Sequence, residues 1–201
     1  MPDRLEPRLQ ECHDVESVLA CALSRGLELS GTALGNVQLM DWSTGCLTIA
    51  AQRGFSDEFL SFFHRVTAGD GSACGRAIRE RRAVVVTDVL FDPEFAPCRI
   101  IAIRAGFRAV QSTPLISSSG AFVGVLSTHF PAAHRPTQGE LKILKRVGEL
   151  TANAIIRQRA CTPRIEGLGA AEHVAEQVNR GREAIRRSYE LMRHLARKQE
   201  H

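Results

Sequence analysis

No Cys-x-x-Cys pair occurs among the six cysteines of this 201-residue chain; Cys12, Cys21, Cys46, Cys74, Cys98 and Cys161 are scattered. That spacing disfavours a zinc site, whose ligands cluster in pairs, and a compact disulfide scaffold. In a reducing compartment such thiols behave as small hydrophobes. No apolar run approaches the roughly 20 residues that cross a bilayer. The opening Met1-Pro2-Asp3-Arg4-Leu5-Glu6-Pro7 lacks the apolar centre of a secretion signal. No basic block is present either, because the formal charge of +4 is spread along the chain, which argues against nucleic acid as a partner. What remains is a cytoplasmic protein with no membrane partner, large enough for one domain plus an appendage.

The chain does contain a succession of short amphipathic segments. Asp14 is placed to cap a helix, its carboxylate accepting from a first-turn N–H. Val15, Val18, Leu19, Ala22 and Leu23 follow at offsets of three and four on one helical face, and Gly26 and Gly31 weaken and end that helix. Strand-like runs occupy 34–42 and 47–52, joined across the hairpin turn Asp41-Trp42-Ser43-Thr44-Gly45. Phe55, Phe59, Phe62 and Phe63 sit at helical spacing and read as core rather than as cofactor contacts. Gly69-Asp70-Gly71-Ser72 opens a helix running to Arg81. Residues 83–87 form a short β-branched strand, and 88–97 an irregular loop with two prolines.

Strands 108–116 and 122–130 meet across Ser117-Ser118-Ser119-Gly120 as an antiparallel pair. Thr137 and Glu140 make a capping box after Pro136, and Ile143, Leu144, Val147, Leu150 and Ala154 form the stripe of the helix that follows. Short adjacent strands with helices at both ends indicate an α+β sandwich, an antiparallel sheet with helices packed on it. Beyond a linker at 161–169, Val174, Val178, Gly181, Ile185, Ser188, Met192 and Leu195 alternate steps of four and three, a heptad seam with two poor occupants. Gly181 alone costs about 1 kcal/mol relative to alanine. The C-terminal helix, 170–201, is therefore either a coiled coil in need of a partner or a solvated tail.

Five segments carry a family resemblance: Gly71-Ser72-Ala73-Cys74-Gly75-Arg76-Ala77-Ile78, Val84-Val85-Val86-Thr87-Asp88-Val89, Asp92-Pro93-Glu94-Phe95-Ala96, the run from Gly106 to Leu115, and Gly124-Val125-Leu126-Ser127-Thr128-His129-Phe130. In this order the chain resembles a GAF domain, the small-molecule sensing module of bacterial signalling proteins, over 14–160, with 1–13 as an N-terminal tail. The resemblance implies an antiparallel sheet of about six strands flanked by N- and C-terminal helices. It also implies a ligand cavity over one face, closed by region 54–106. The polar candidates for ligand contact are Asp88, Arg99, Arg104, Gln111, Ser127 and His129, with no resident cofactor expected and an unknown small molecule as ligand. Plainer roles stay open: Asp88 bonding turn amides, Gln111 satisfying an edge, His129 as a hydrogen-bonded core residue. The Asn-Lys…Phe…Asp-Glu signature of cyclic-nucleotide-binding relatives is missing. The Cys-His step of bilin-binding relatives occurs only at Cys12-His13, ahead of the domain, and His64 and His129 are the candidate haem ligands, neither singled out.

Two further readings stay open. Free methionine sulfoxide reductases are GAF proteins with cysteines in the places of Cys74 and Cys98, where one thiolate attacks the sulfoxide sulfur and a second thiol resolves the intermediate. That chemistry also wants carboxylates. Here Ser127 and His129 stand where aspartates are expected, Val110 where a glutamate is, and His64 is nearest to a further expected cysteine. No enzymatic activity is therefore expected, and Cys74 with Cys98 is either a redox pair or two buried thiols. The third reading is an interaction module. No kinase ATP-binding region follows, and His194 lacks the acidic neighbour and downstream proline of a phospho-accepting histidine. The expected partners are a second copy of the chain and a histidine kinase or other signalling protein, with ligand closure shifting the terminal helix. A ligand-free dimerisation scaffold is the remaining form of this reading.

Overall fold

A computed structural model describes residues 5–161; the linker and the heptad seam lie outside them. The elements in chain order are α1 (Leu5–Gln10), α2 (Val15–Ser30), β1 (Leu34–Asp41), β2 (Cys46–Arg53), α3 (Asp57–Phe62), α4 (Ala73–Glu80), β3 (Val84–Val86), a 3-10 turn (Ala96–Cys98), α5 (Arg99–Arg104), β4 (Ala109–Ile116), β5 (Phe122–Phe130) and α6 (Gln138–Cys161). The strands form one antiparallel sheet in the order β2-β1-β5-β4-β3. It holds five strands among the described residues, and beside β2 there is only an isolated bridge, Leu47 to Val66.

Local chemistry starts and stops these elements. Asp14 Oδ1 accepts from the Ser17 amide at 2.7 Å, and Gly31 ends α2 with φ +62°. The β1–β2 hairpin is held by Asp41, whose carboxylate takes the Ser43 amide at 2.9 Å and the Thr44 hydroxyl at 2.8 Å. At the head of α6, Thr137 Oγ1 accepts from the Glu140 amide at 3.2 Å while Glu140 Oε2 accepts from the Thr137 amide at 2.6 Å. Two orphan amides are thereby satisfied reciprocally.

The sheet separates two cores. On one side α2 and α6 lay Val18, Leu19, Leu23, Leu27, Val147 and Ile155 against Val37, Leu115 and Leu126 of the strands. Each such side chain contributes about 1.5–3 kcal/mol by burial. Gly26 lies within α2 because a Cβ there would stand 2.8 Å from Leu126 Cδ2; it sets the closeness of helix to sheet. The segment expected as an N-terminal tail instead contains α1, which docks through buried Leu9. Arg157 donates to the Leu9 carbonyl at 2.9 Å and Gln158 to that of Cys12 at 2.6 Å. On the other side α3, α4 and α5 cover the second core, with Phe59, Phe63, Phe95, Phe107, Val110 and Val125 at its centre. No described helix is long and apolar enough to cross a membrane.

Candidate functional site

Strand side chains alternate between faces, and the register sorts them here. Leu34 pairs with His129 and His129 with Val110; Asn36 pairs with Ser127 and Ser127 with Ser112; Gln38 pairs with Val125 and Val125 with Pro114. These three levels form the face turned toward α3, α4 and α5. The middle level is a polar row across three strands, Asn36, Ser127 and Ser112, with a 2.8 Å hydrogen bond between the serine hydroxyls. Ser72 faces this row from the start of α4; its hydroxyl accepts from the Gly75 amide at 3.1 Å and lies 3.4 Å from Cys74 Sγ. Phe59, Phe63, Phe95 and Phe107 complete the walls, and the space left between them is about 10 Å³. That is room for about one water.

His129 is the most constrained group. Its ring meets Phe107 at 4.6 Å, Phe55 at 4.8 Å and Phe59 at 5.9 Å between centroids, edge to face in each case. Burial, opposed only by a hydrogen bond to the Leu34 backbone, pushes its pKa down to about 3. The imidazole is thus neutral at physiological pH. Its Nδ1 has no partner, nor do Asn36 Oδ1 and both amide atoms of Gln38. An unmatched buried donor or acceptor costs about 1–3 kcal/mol, so this face is polar at a cost to the fold. Thr32, just past α2, donates its hydroxyl to the His129 carbonyl, and Ser30 lies 3.4 Å from Thr128 on the opposite face.

Of the six residues singled out from sequence, Ser127 and His129 reach this cavity and four do not. Gln111 lies on the opposite face, because it alternates with Val110 and Ser112, and it donates to Thr113 Oγ1 at 3.5 Å. Asp88 accepts from the Leu90 amide at 3.0 Å and pairs through both oxygens with the Arg108 guanidinium. The hydrogen bond from Arg108 holds its carboxyl below the usual range. Arg99 Nε donates to the Val89 carbonyl at 3.1 Å. Arg104 is solvent-exposed and paired with Glu58 of α3. These charged residues pin the covering segments and do not face the cavity. Sequence reasoning missed Asn36, Gln38, Ser72 and Ser112. The signal was present in Leu34-Gly35-Asn36-Val37-Gln38-Leu39-Met40, where two amides interrupt an apolar strand at alternate positions.

Cys74 borders the cavity and Cys98 belongs to the same core; both are free thiols. Burial pushes Cys74 up, and pushes Cys98 up to about 12 with a further push from Cys74. Neither is a ready thiolate, the form that attacks sulfur. Among the described residues no group of His, Cys, Asp and Glu is arranged to hold a metal ion. A larger hollow, about 590 Å³, lies outside the cores between Arg81, Arg82 and the Lys142, Lys145 and Glu149 side of α6. It is a surface groove with charged side chains beside apolar Ala83, Pro114, Ile116 and Leu141, and no unpartnered buried atom borders it.

The same architecture recurs in known proteins. A methyl sulfide methyltransferase-associated sensor of Methanosarcina acetivorans is 24% identical over 181 residues, covering 90% of this chain but 17% of that protein. The free methionine-R-sulfoxide reductase of Neisseria meningitidis, solved with its substrate, superposes with a TM-score of 0.66 at 21% identity, over 80% of this chain and 89% of the other. The GAF domain of a phosphoenolpyruvate-protein phosphotransferase from Coxiella burnetii gives 0.66 at 16% identity, over 79% and 92%. The profile of the GAF domain matches residues 12–156. The chain belongs to the GAF domain family.

Proposed function

We propose that this chain is a regulatory sensing module that takes a small molecule non-covalently into the cavity over β1, β5 and β4. The carrying observation is the pair of buried, unpartnered polar atoms on Asn36 and His129 that border a nearly closed space, with the unpartnered Gln38 amide one level beyond on the same face. Its kinship with an archaeal protein described as a sensor supports the reading. Signal leaves through α2 and α6, packed on the back of the same strands, toward a second copy of the chain or another signalling protein in the cytoplasm. Catalysis of the sulfoxide reductase kind is not part of this function: the thiols beside the cavity are protonated, and Ser127 and His129 occupy the strand positions where that chemistry wants carboxylates.

The near-closure of the cavity favours one second reading, a ligand-free dimerisation scaffold. A native mass spectrum of full-length protein purified from a bacterial host separates the two. The expected result is a dimer carrying an adduct of small-molecule mass. A bare dimer moves the function to the scaffold, and a bare monomer removes the dimer from both.

A further inference from the structure

Three side chains on the cavity face offer hydrogen bonds that nothing takes up: Asn36 Oδ1, Gln38 Oε1 and Nε2, and His129 Nδ1. Their residues are 3%, 1% and 5% exposed. Bulk water does not reach them, and the enclosed space of about 10 Å³ holds about one molecule. His129 and Gln38 stand two levels apart on the sheet, about 13 Å along the strand direction. One water cannot serve both.

Every polar group bordering the cavity is uncharged: Asn36, Ser72, Ser112, Ser127, the Cys74 thiol and the His129 imidazole, with the Gln38 amide one level beyond. No charged side chain lines the cavity, and on the covering segments Arg76 pairs with Asp92, Arg79 with Glu94, Arg108 with Asp88 and Arg104 with Glu58. A carboxylate or phosphate buried among these walls would have no counter-charge, and a buried unpaired charge is far costlier than a buried amide. The walls themselves are flat phenylalanine rings. Phe55 stacks on Phe59 with centroids 3.8 Å apart, and both meet the His129 ring edge to face. Phe59 borders the space and half-buried Phe55 backs it, so this pair is the part of the wall that moves to admit a guest larger than one water. Gly54, with φ +85°, lies just before it, and the ion pair from Glu58 to Arg104 ties α3 to α5. The segment around Phe95 is held more firmly, because Gly71 leaves no room for a Cβ beside the Glu94 carbonyl.

Building on the sensing function proposed above, we infer that the cavity takes a small, uncharged, planar molecule with an amide-like edge, read by Asn36 from β1 and by His129 one level away on β5, and admitted past Phe55 and Phe59.

Matched probes test the class directly on the full chain. Nicotinamide and benzamide are titrated against nicotinate and benzoate, following the side-chain NH₂ signals of Asn36 and the His129 ring in ¹H–¹⁵N spectra. The expected result is saturable shifts with the two carboxamides and binding at least about tenfold weaker with the two carboxylates. Carboxylates binding equally well would overturn the neutral class while leaving small-molecule sensing intact. Silence from all four probes with a host-derived adduct in the mass spectrum would overturn the class alone. Silence with no adduct would remove both. A second measurement uses Asn36→Leu, which keeps the side-chain shape and removes the unmatched carbonyl oxygen at the cavity. The melting temperature of the ligand-free protein should rise by about 3 °C while carboxamide binding weakens at least about tenfold. A fall in melting temperature would mean that the Asn36 amide is already satisfied within the fold and would overturn its role as reader.

Discussion

His129 holds an uncharged imidazole among Phe55, Phe59 and Phe107, and this makes stability depend on pH. Its folded pKa is about 3 against an ordinary 6.5. Between those values the unfolded chain binds a proton that the native chain refuses. Stability should therefore fall as pH drops through 6.5 toward 3, by up to about 1.4 kcal/mol per pH unit. Urea midpoints between pH 7 and pH 4 measure this, and His129→Phe should flatten the dependence by about that slope. The thiols give a second expectation at the same scale. Cys74 and Cys98, buried and protonated, should react with a disulfide reagent at pH 8 far more slowly in the native protein than in the unfolded one. Rapid modification of either in the native state would return the redox reading to consideration. The Gln111 assignment shows why residues were harder to read than elements. A strand is recognisable from composition, but a shift of one position exchanges its two faces. Gln111 and Ser112 are neighbours, and only the pairing with Ser127 decides which of them meets the cavity.

At the scale of elements, most of the chain was legible because its punctuation is chemical. Asp14, Gly31, the Asp41 turn, Ser117–Gly120 and the Thr137–Glu140 box each bound an element where the structure has one. Thr137→Ala should cost about 1 kcal/mol through loss of that cap, read as a shift in urea midpoint with little change in the sheet. Helix α5 escaped notice for the opposite reason. Arg99-Ile100-Ile101-Ala102-Ile103-Arg104 has no side-chain N-cap bond, spans less than two turns, and buries Ile101 and Ala102 while leaving Ile100 and Ile103 exposed. So short a run gives no period to read. Helix α1 was hidden likewise, its docking resting on Leu9. Leu9→Ala should destabilise the α2–α6 layer by about 2–5 kcal/mol, the range for a truncated buried leucine, measurable by denaturant unfolding.

Across the whole molecule, the fold class was readable because ordered motifs fix topology. The cavity's chemistry was not, because it arises only where β1, β5 and β4 are laid side by side. No local pattern joins Asn36 to Ser112, which are 76 positions apart in the chain. The contact from Thr32 to the His129 carbonyl links the two layers through backbone. Thr32→Val should leave the fold intact and reduce the ligand-induced change in hydrogen exchange along α2, without a matching loss of affinity at the cavity.

The alternation along β5 has one more consequence. Val125, Ser127 and His129 look one way while Leu126 and Thr128 look the other, on a strand only one residue thick. Such a strand works like the skin of a drum: it cannot bow toward the aromatic side without withdrawing from the helices behind. That skin is backed from the helix side, so a substitution at Gly26 or Leu126 should reset how readily the chamber opens, though neither residue borders it.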